Sequence, residues 1–150
     1  MRPSPALAAA SPIADVAPPT SVLDASALLA VLHREKGAPV VITAIADGAA
    51  IGVVNLAEVL SRLAEDGKNP QHALTKLCET EGPRRALAIE PLTTADCVAA
   101  ARLRPTTKPQ GLSLADRACL TLAKRLGVPV LTADRAWAHA DTGAEVQLIR

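Results

Sequence analysis

Apolar strand-like runs alternate with helical segments along most of this 150-residue chain. Ala50 to Val54 and Pro129 to Thr132 suit buried strands, whereas Asn55 to Asp66 repeats its apolar residues at helical spacing. Such alternation predicts a parallel sheet that is covered by helices on both faces. We therefore expect one α/β domain with a three-layer α/β/α sandwich around a central parallel sheet.

The bounds of the predicted elements follow from helix caps, glycines and prolines. Strands are predicted at 21–24, 50–54, 86–90, 129–132 and 145–149. Helices are predicted at 25–35, 38–47, 55–66, 70–80, 93–103 and 114–126. The segment 38–47 also suits a strand, but a helix is preferred because a better strand follows it. Gly37 is expected to end the first helix, Gly82-Pro83 to break the fourth, and residues 104–112 to form a loop.

Composition limits the core and the partners. Hydrophobic residues make up 49% of the chain, yet Trp137 is its sole aromatic residue. Small aliphatic side chains must therefore fill the interior, which favours close helix-on-sheet packing over a large ligand cavity. The net charge of +1 gives no general signal for nucleic-acid binding, although a local basic patch remains compatible with it.

The cysteines and the N-terminal residues give information about the cellular compartment of the protein. Cys78, Cys97 and Cys119 are odd in number and lack zinc-site spacing, so we expect buried free thiols in a reducing, cytoplasmic setting. No apolar run approaches the roughly 20 residues of a membrane span. Residues 1–20 are rich in alanine and proline and are expected to be a disordered tail before a domain at 21–150.

Four acidic residues stand where predicted strands end or helices begin. They are Asp24, Glu58, Asp116 and Asp134. Ligands of open α/β sheets collect beyond the carboxyl ends of the strands. Carboxylates gathered there would form an oxygen-rich pocket that suits a hard divalent cation.

Each of these acids also has an ordinary structural explanation. The explanations are a helix cap at Asp24, a Glu58–Arg62 ion pair, a capping box of Ser113 with Asp116, and an Asx turn at Asp134. What they leave unexplained is the gathering of four acids at one edge. Two carboxylates about 4 Å apart repel by about 4 kcal/mol at an effective dielectric constant of about 20. The set as a whole therefore favours a metal site.

The same residues carry a resemblance to a known family. The segments are VLDASALLA at 22–30, VNLAEVLSRL at 54–63 and LSLADRACLTLAKRLGVPVLTADRAW at 112–137. In this ordered set the chain resembles the PIN domain family, and most closely the toxin ribonucleases of bacterial VapBC toxin–antitoxin systems. The resemblance covers about residues 20–149.

The resemblance implies a hydrolase: a metal-dependent endoribonuclease that uses Mg²⁺ or Mn²⁺. The four acids would hold one or two ions, which would activate water for attack on an RNA phosphodiester. Ser26 would hold a ligand or the phosphate. Asn55 and Thr132 would donate hydrogen bonds near the site.

Partners are also implied by the resemblance. We expect a homodimer, a cognate antitoxin whose arm blocks the acidic site, and a structured RNA such as tRNA or ribosomal RNA. Lys108, Arg117 and Arg135 would hold RNA phosphates, unless they are merely solvated surface residues. Trp137 would stack on a base or, more simply, fill the core.

Other functions remain open at this point. One alternative is a PIN-like nuclease outside any toxin system. Another is a non-catalytic PIN-like module that binds RNA or a partner. A haloacid-dehalogenase-like phosphatase is disfavoured because Ser26 stands where it needs a second aspartate. A receiver domain is disfavoured because Ala133-Asp134 follows a strand where it needs a lysine.

Overall fold

A computed structural model describes residues 17–79 and 87–150. Five parallel strands form one sheet in the order β3-β2-β1-β4-β5. The strands are β1 (Ser21–Leu23), β2 (Ala49–Gly52), β3 (Leu87–Glu90), β4 (Val130–Thr132) and β5 (Val146–Leu148). From β1 the chain builds outward to β3 and then returns to the other side of β1 for β4 and β5. The order therefore reverses between β1 and β4, which are hydrogen-bonded neighbours.

Helices connect the strands. They are α1 (Ala25–Leu32), α2 (Ala38–Gly48), α3 (Val53–Glu65), α4 (Pro70–Cys78), α5 (Thr94–Arg102), α6 (Arg104–Thr107) and α7 (Leu114–Leu126). Two 3-10 helices, Lys108–Gln110 and Arg135–His139, complete the described residues. None of the helices in 17–79 or 87–150 is long and apolar enough to span a bilayer.

The strands bury both faces of the sheet, as the sequence predicts. In β1, Leu23 packs into a core that contains Leu28 of α1 and Val59 of α3. Its neighbour Val22 points into a second core that contains Leu120 of α7. Because successive side chains of a strand point to opposite faces, the helices form one layer on each side. The predicted three-layer α/β/α architecture is confirmed.

Three local expectations are wrong. Helix α1 ends at Leu32, three residues early, because Arg34 adopts a left-handed backbone with φ 55°. Gly37 does not end α1 but precedes α2, with φ 95°. Residues 104–112 are largely helical instead of a loop, since Pro105 and Pro109 occupy first-turn positions where a missing N–H costs nothing.

A further boundary also differs from its prediction, because β2 ends at Gly52 and Val53 and Val54 form the start of α3. The other expectations concern burial or undescribed residues. Cys119 is buried and free as expected, but Cys78 and Cys97 are exposed, which corrects the prediction of three buried thiols. The expected tail falls mostly on residues 1–16, outside the described residues. The Gly82-Pro83 break lies outside them as well.

Candidate active site

Asp24 lies at the point where the strand order reverses. It directly follows β1, and its backbone N–H donates to the Leu131 carbonyl of β4 at 3.1 Å. The residue is only 4% exposed. Ligands of open parallel sheets bind in the crevice at such a reversal, so the position of Asp24 marks the expected binding edge.

Three protein groups donate to the Asp24 carboxylate. The Ala27 N–H donates to Oδ1 at 2.8 Å, which makes Asp24 the N-cap of α1. The Ser26 hydroxyl lies 2.7 Å from Oδ1 and 2.9 Å from Oδ2, and the Thr132 hydroxyl donates to Oδ2 at 2.7 Å. An ionised carboxylate has about four acceptor positions, so capping and binding of a further ligand are compatible at Asp24.

Both hydroxyls have their orientation set by the chain that leaves β4. The Ala133 N–H donates to Ser26 Oγ at 2.9 Å, and the Asp134 N–H donates to Thr132 Oγ1 at 3.0 Å. A hydroxyl has a single proton, and accepting a backbone N–H leaves that proton free to point at Asp24. Ser26 and Thr132 therefore connect the start of α1 to the end of β4 through one carboxylate.

Asp116 and Asp134 each accept a backbone N–H at the start of a helix. The Ser113 N–H donates to Asp116 Oδ2 at 2.8 Å, which completes the predicted capping box of α7. The Ala136 N–H donates to Asp134 Oδ1 at 2.9 Å, as expected for an Asx turn. Each cap uses one carboxylate oxygen. The structural explanation of these acids therefore does not compete with a role in ligand binding.

Glu58 lies in the second turn of α3 and is exposed. The alternative ion pair with Arg62 does not form, because Arg62 lies 3.7 Å from Glu65 instead. Its carboxylate is still partly shielded from water, which raises the pKa of Glu58, and the negative charges of Asp116 and Asp24 raise it further. Glu58 is thus part of the same electrostatic group although its helix is distant in sequence.

The other acids respond to the same group. Burial raises the pKa of Asp24, and the charge of Asp116 adds to that rise against three opposing hydrogen bonds. Burial also raises the pKa of Asp116, and the charge of Asp134 adds to the rise. Carboxylates that raise one another's pKa form a cluster that a cation would stabilise. Electrostatic effects therefore link Asp24, Glu58 and Asp116 to one another and Asp134 to Asp116, and their joint role as a site stays a prediction.

Of the three residues predicted to bind phosphates, Arg117 does not fit the prediction. It is buried, and its Nη1 donates to the Ala100 carbonyl at 2.9 Å, so it joins α7 to α5 and is neither solvated nor open to RNA. Lys108 and Arg135 are exposed, and their contact with RNA stays a prediction. Trp137 is 1% exposed within the second core, which confirms its structural role over base stacking.

Comparison with known proteins now adds to this geometry. The family model described as the PIN domain matches residues 21–143. The chain belongs to the PIN domain family. No curated protein sequence matches it significantly.

Solved structures share the fold of this PIN domain. A toxin–antitoxin complex from Klebsiella pneumoniae has a TM-score of 0.67 at 17% identity, covering 87% of this chain and 98% of that chain. VapBC2 from Rickettsia felis, bound to a promoter DNA fragment, has a TM-score of 0.66 at 13% identity, with coverages of 85% and 97%. VapBC-5 from Mycobacterium tuberculosis has a TM-score of 0.56 at 24% identity, with coverages of 88% and 99%.

The acids of this PIN domain fit a hard divalent cation by their chemistry. All four offer carboxylate oxygens, which Mg²⁺ and Mn²⁺ prefer. Within residues 17–79 and 87–150, however, no group of three His, Cys, Asp or Glu side chains lies close enough to hold a metal ion. The fit therefore rests on the chemistry of the donors and not on a formed coordination site.

Sequence reasoning missed one residue beside the site of this PIN domain. Cys119 is buried one turn after Asp116, and its Sγ lies 3.7 Å from the Leu23 carbonyl. Burial raises its pKa well above the ordinary value, and the charges of Asp24, Asp116 and Glu58 add to the rise. Its spacing of three residues from Asp116 was the available signal, because such residues share a helix face.

Proposed function

We propose that this PIN domain is a VapC-type toxin, a metal-dependent endoribonuclease that hydrolyses RNA phosphodiester bonds. The observation that carries the proposal is the buried Asp24 at the β1/β4 reversal, held by Ser26 and Thr132, in a chain whose residues 21–143 match the PIN domain model. The charges of Glu58, Asp116 and Asp134 act in the same electrostatic group. Coupled carboxylates in an α/β crevice are typical of metal-assisted phosphoryl chemistry. The likeness in fold to toxin–antitoxin complexes supports the toxin assignment.

The acids differ in burial and would therefore have different roles at the site. Asp24 is buried and held by three donors, so it would give the ion a fixed carboxylate ligand. Asp116 is half-buried and Glu58 is exposed, so both would face a cleft that RNA and water reach. A bound Mg²⁺ or Mn²⁺ would lower the pKa of water and offset negative charge on the phosphate.

Helix ends and hydroxyls would hold this arrangement before RNA binds. Asp24 caps α1 and Asp116 lies in the first turn of α7, where the helix dipoles favour negative charge. Ser26 and Thr132 would keep Asp24 in one orientation through the contacts described above. The exposed Lys108 and Arg135 would contact RNA phosphates on the surface.

The partners follow from the toxin assignment. A cognate antitoxin would bind over the acidic site and block it, and the chain would form a homodimer. The likeness in fold to the toxin–antitoxin complex from Klebsiella pneumoniae supports an antitoxin partner for this chain. Co-expression with the product of an adjacent small gene would test this part by reversing growth arrest.

The test of the activity is RNA cleavage in Mg²⁺ or Mn²⁺, with and without EDTA, beside single-stranded DNA of the same length. Glu58→Gln and Asp116→Asn each remove one charge, and the amide oxygen of the second variant still accepts the hydrogen bond that caps α7. We expect both to lose activity by at least about 10–100-fold. The control, Asp47→Asn, makes the same change at an exposed site at the opposite edge of the sheet and is expected to cleave normally.

Two outcomes would contradict the proposal. Cleavage that continues in EDTA would show that the reaction needs no metal ion. Equal cleavage by Glu58→Gln and by the Asp47→Asn control would show that the acidic cluster takes no part in it.

A further inference from the structure

We propose that Asn55 is a positioning residue that ties the first turn of α3 to the first turn of α7 and thereby sets the spacing of Glu58 and Asp116. The inference rests on the proposed function, because it concerns two acids of that site. It assigns to Asn55 no contact with metal or RNA.

The link is a single buried hydrogen bond between helices. Asn55 is 1% exposed, and its Nδ2 donates to the Ala115 carbonyl at 3.2 Å across 60 residues of sequence. Ala115 directly precedes Asp116, and Asn55 lies one turn before Glu58. The bond therefore joins the two helices immediately beside the two acids.

The joined helices belong to different layers. Leu56 and Val59 of α3 pack in the core on one face of the sheet, whereas Leu120 and Leu122 of α7 pack in the core on the other face. A shift of either layer would move one acid relative to the other. A hydrogen bond that spans the layers at this edge opposes such a shift, because it is lost when the helices separate.

Stability alone does not account for an asparagine here. Within the described part of the chain, Asn55 Oδ1 is buried and accepts no hydrogen bond. A buried polar atom left unpaired destabilises a fold. Leucine has the same number of side-chain heavy atoms as asparagine and no unpaired oxygen, so the value of Asn55 lies in what its Nδ2 holds in place.

The experiment compares Asn55→Leu and Asn55→Ala with Thr107→Val in the full chain. Leucine fills the site and alanine leaves a cavity, so the two differ in stability but share the lost donor. Thr107 is 0% exposed and donates to the Leu103 carbonyl at 2.7 Å, so its valine variant removes a buried hydrogen bond from the end of α6 to the residue that precedes this helix. Amide hydrogen exchange in residues 53–60 and 113–120 and Mn²⁺ binding by calorimetry are measured for each.

Both Asn55 variants are expected to exchange faster in these two segments and to bind Mn²⁺ about tenfold more weakly or worse. Thr107→Val is expected to do neither. The inference would be overturned if the Asn55 variants had the same hydrogen-exchange rates in these segments and the same Mn²⁺ affinity as Thr107→Val. If the unmodified protein binds no Mn²⁺, the proposed function fails. In that case faster hydrogen exchange in the Asn55 variants would still support the role of Asn55, and unchanged exchange would overturn it.

Discussion

Thr132 Oγ1 lies 2.7 Å from Asp24 Oδ2 and joins the end of β4 to the end of β1 across 108 residues of sequence. The same oxygen accepts the Asp134 N–H at 3.0 Å. One hydroxyl therefore supports the buried carboxylate and the turn that bears another acid. Its loss would affect both.

Thr132→Val should lower the free energy of unfolding by about 1–3 kcal/mol, because a buried carboxylate oxygen loses a donor and a backbone N–H loses its acceptor. Urea unfolding measures the change. Thr121→Val is the matched control, since Thr121 is 4% exposed and its Oγ1 has no partner among the described residues. It should be neutral or stabilising. Equal losses in both variants would show that the Thr132 hydroxyl contributes nothing beyond its burial.

Mn²⁺ should raise the melting temperature of the protein. An ion that binds only the folded state at about 100 times its dissociation constant adds about 2.7 kcal/mol to stability. Glu58→Gln should shrink this increase because one carboxylate is lost, and Asp47→Asn should leave it unchanged. Thermal unfolding at several Mn²⁺ concentrations, reversed by EDTA, provides the measurement. A full Mn²⁺ response in Glu58→Gln would exclude Glu58 from the site.

The metal-free protein should become more stable as the pH falls from neutrality toward the ordinary pKa values of aspartate and glutamate, about 4. Burial and mutual repulsion raise the pKa values of Asp24, Glu58 and Asp116 in the folded state. In that window the folded state binds more protons than the unfolded state, so protonation stabilises the fold and the benefit is lost as the pH rises. Urea unfolding in EDTA across this range tests the sign.

A separate acid sets the lower limit of that gain. Burial raises the pKa of Asp96, but hydrogen bonds from Thr93 and the charge of Arg125 outweigh it and lower the pKa overall. The stability from this pair is present above the ordinary aspartate pKa and is lost as the pH falls through the lowered pKa.

Asp116→Asn should make the gain in stability on acidification smaller, because it removes one of the carboxyl groups with a raised pKa. A slope unchanged by that substitution would contradict the assignment.

Gly37→Ala should destabilise the fold more than Gly67→Ala. Both glycines have positive φ, 95° and 77°, so alanine at either site carries a backbone strain of about 1–2 kcal/mol. A Cβ at Gly37 would also lie 2.7 Å from the Ile149 carbonyl oxygen, whereas a Cβ at Gly67 meets nothing within 4 Å. Urea midpoints of the two variants isolate the clash. Equal midpoints would mean that the C-terminal segment moves aside without cost.

Local sequence signals predicted most elements but not all of their ends. The capping box at Ser113 and Asp116 and the stop at Gly127 located α7 to the residue, since each involves groups a few positions apart. The end of α1 was missed because the left-handed backbone of Arg34 has no sequence signature. The exposure of Arg117 was also misjudged, because its partner, the Ala100 carbonyl, lies 17 residues away.

The sequence by itself determined the alternation of strands and helices, the caps and the acid beside each element. Periodicity and capping depend on neighbours within about one turn, so they can be read from the chain directly. Only the tertiary structure decided that β1 and β4 are adjacent, that Ser26 and Thr132 meet on Asp24, and that Asn55 reaches α7. These contacts join residues that are distant in sequence. They arise from the packing of whole layers, which no local pattern encodes.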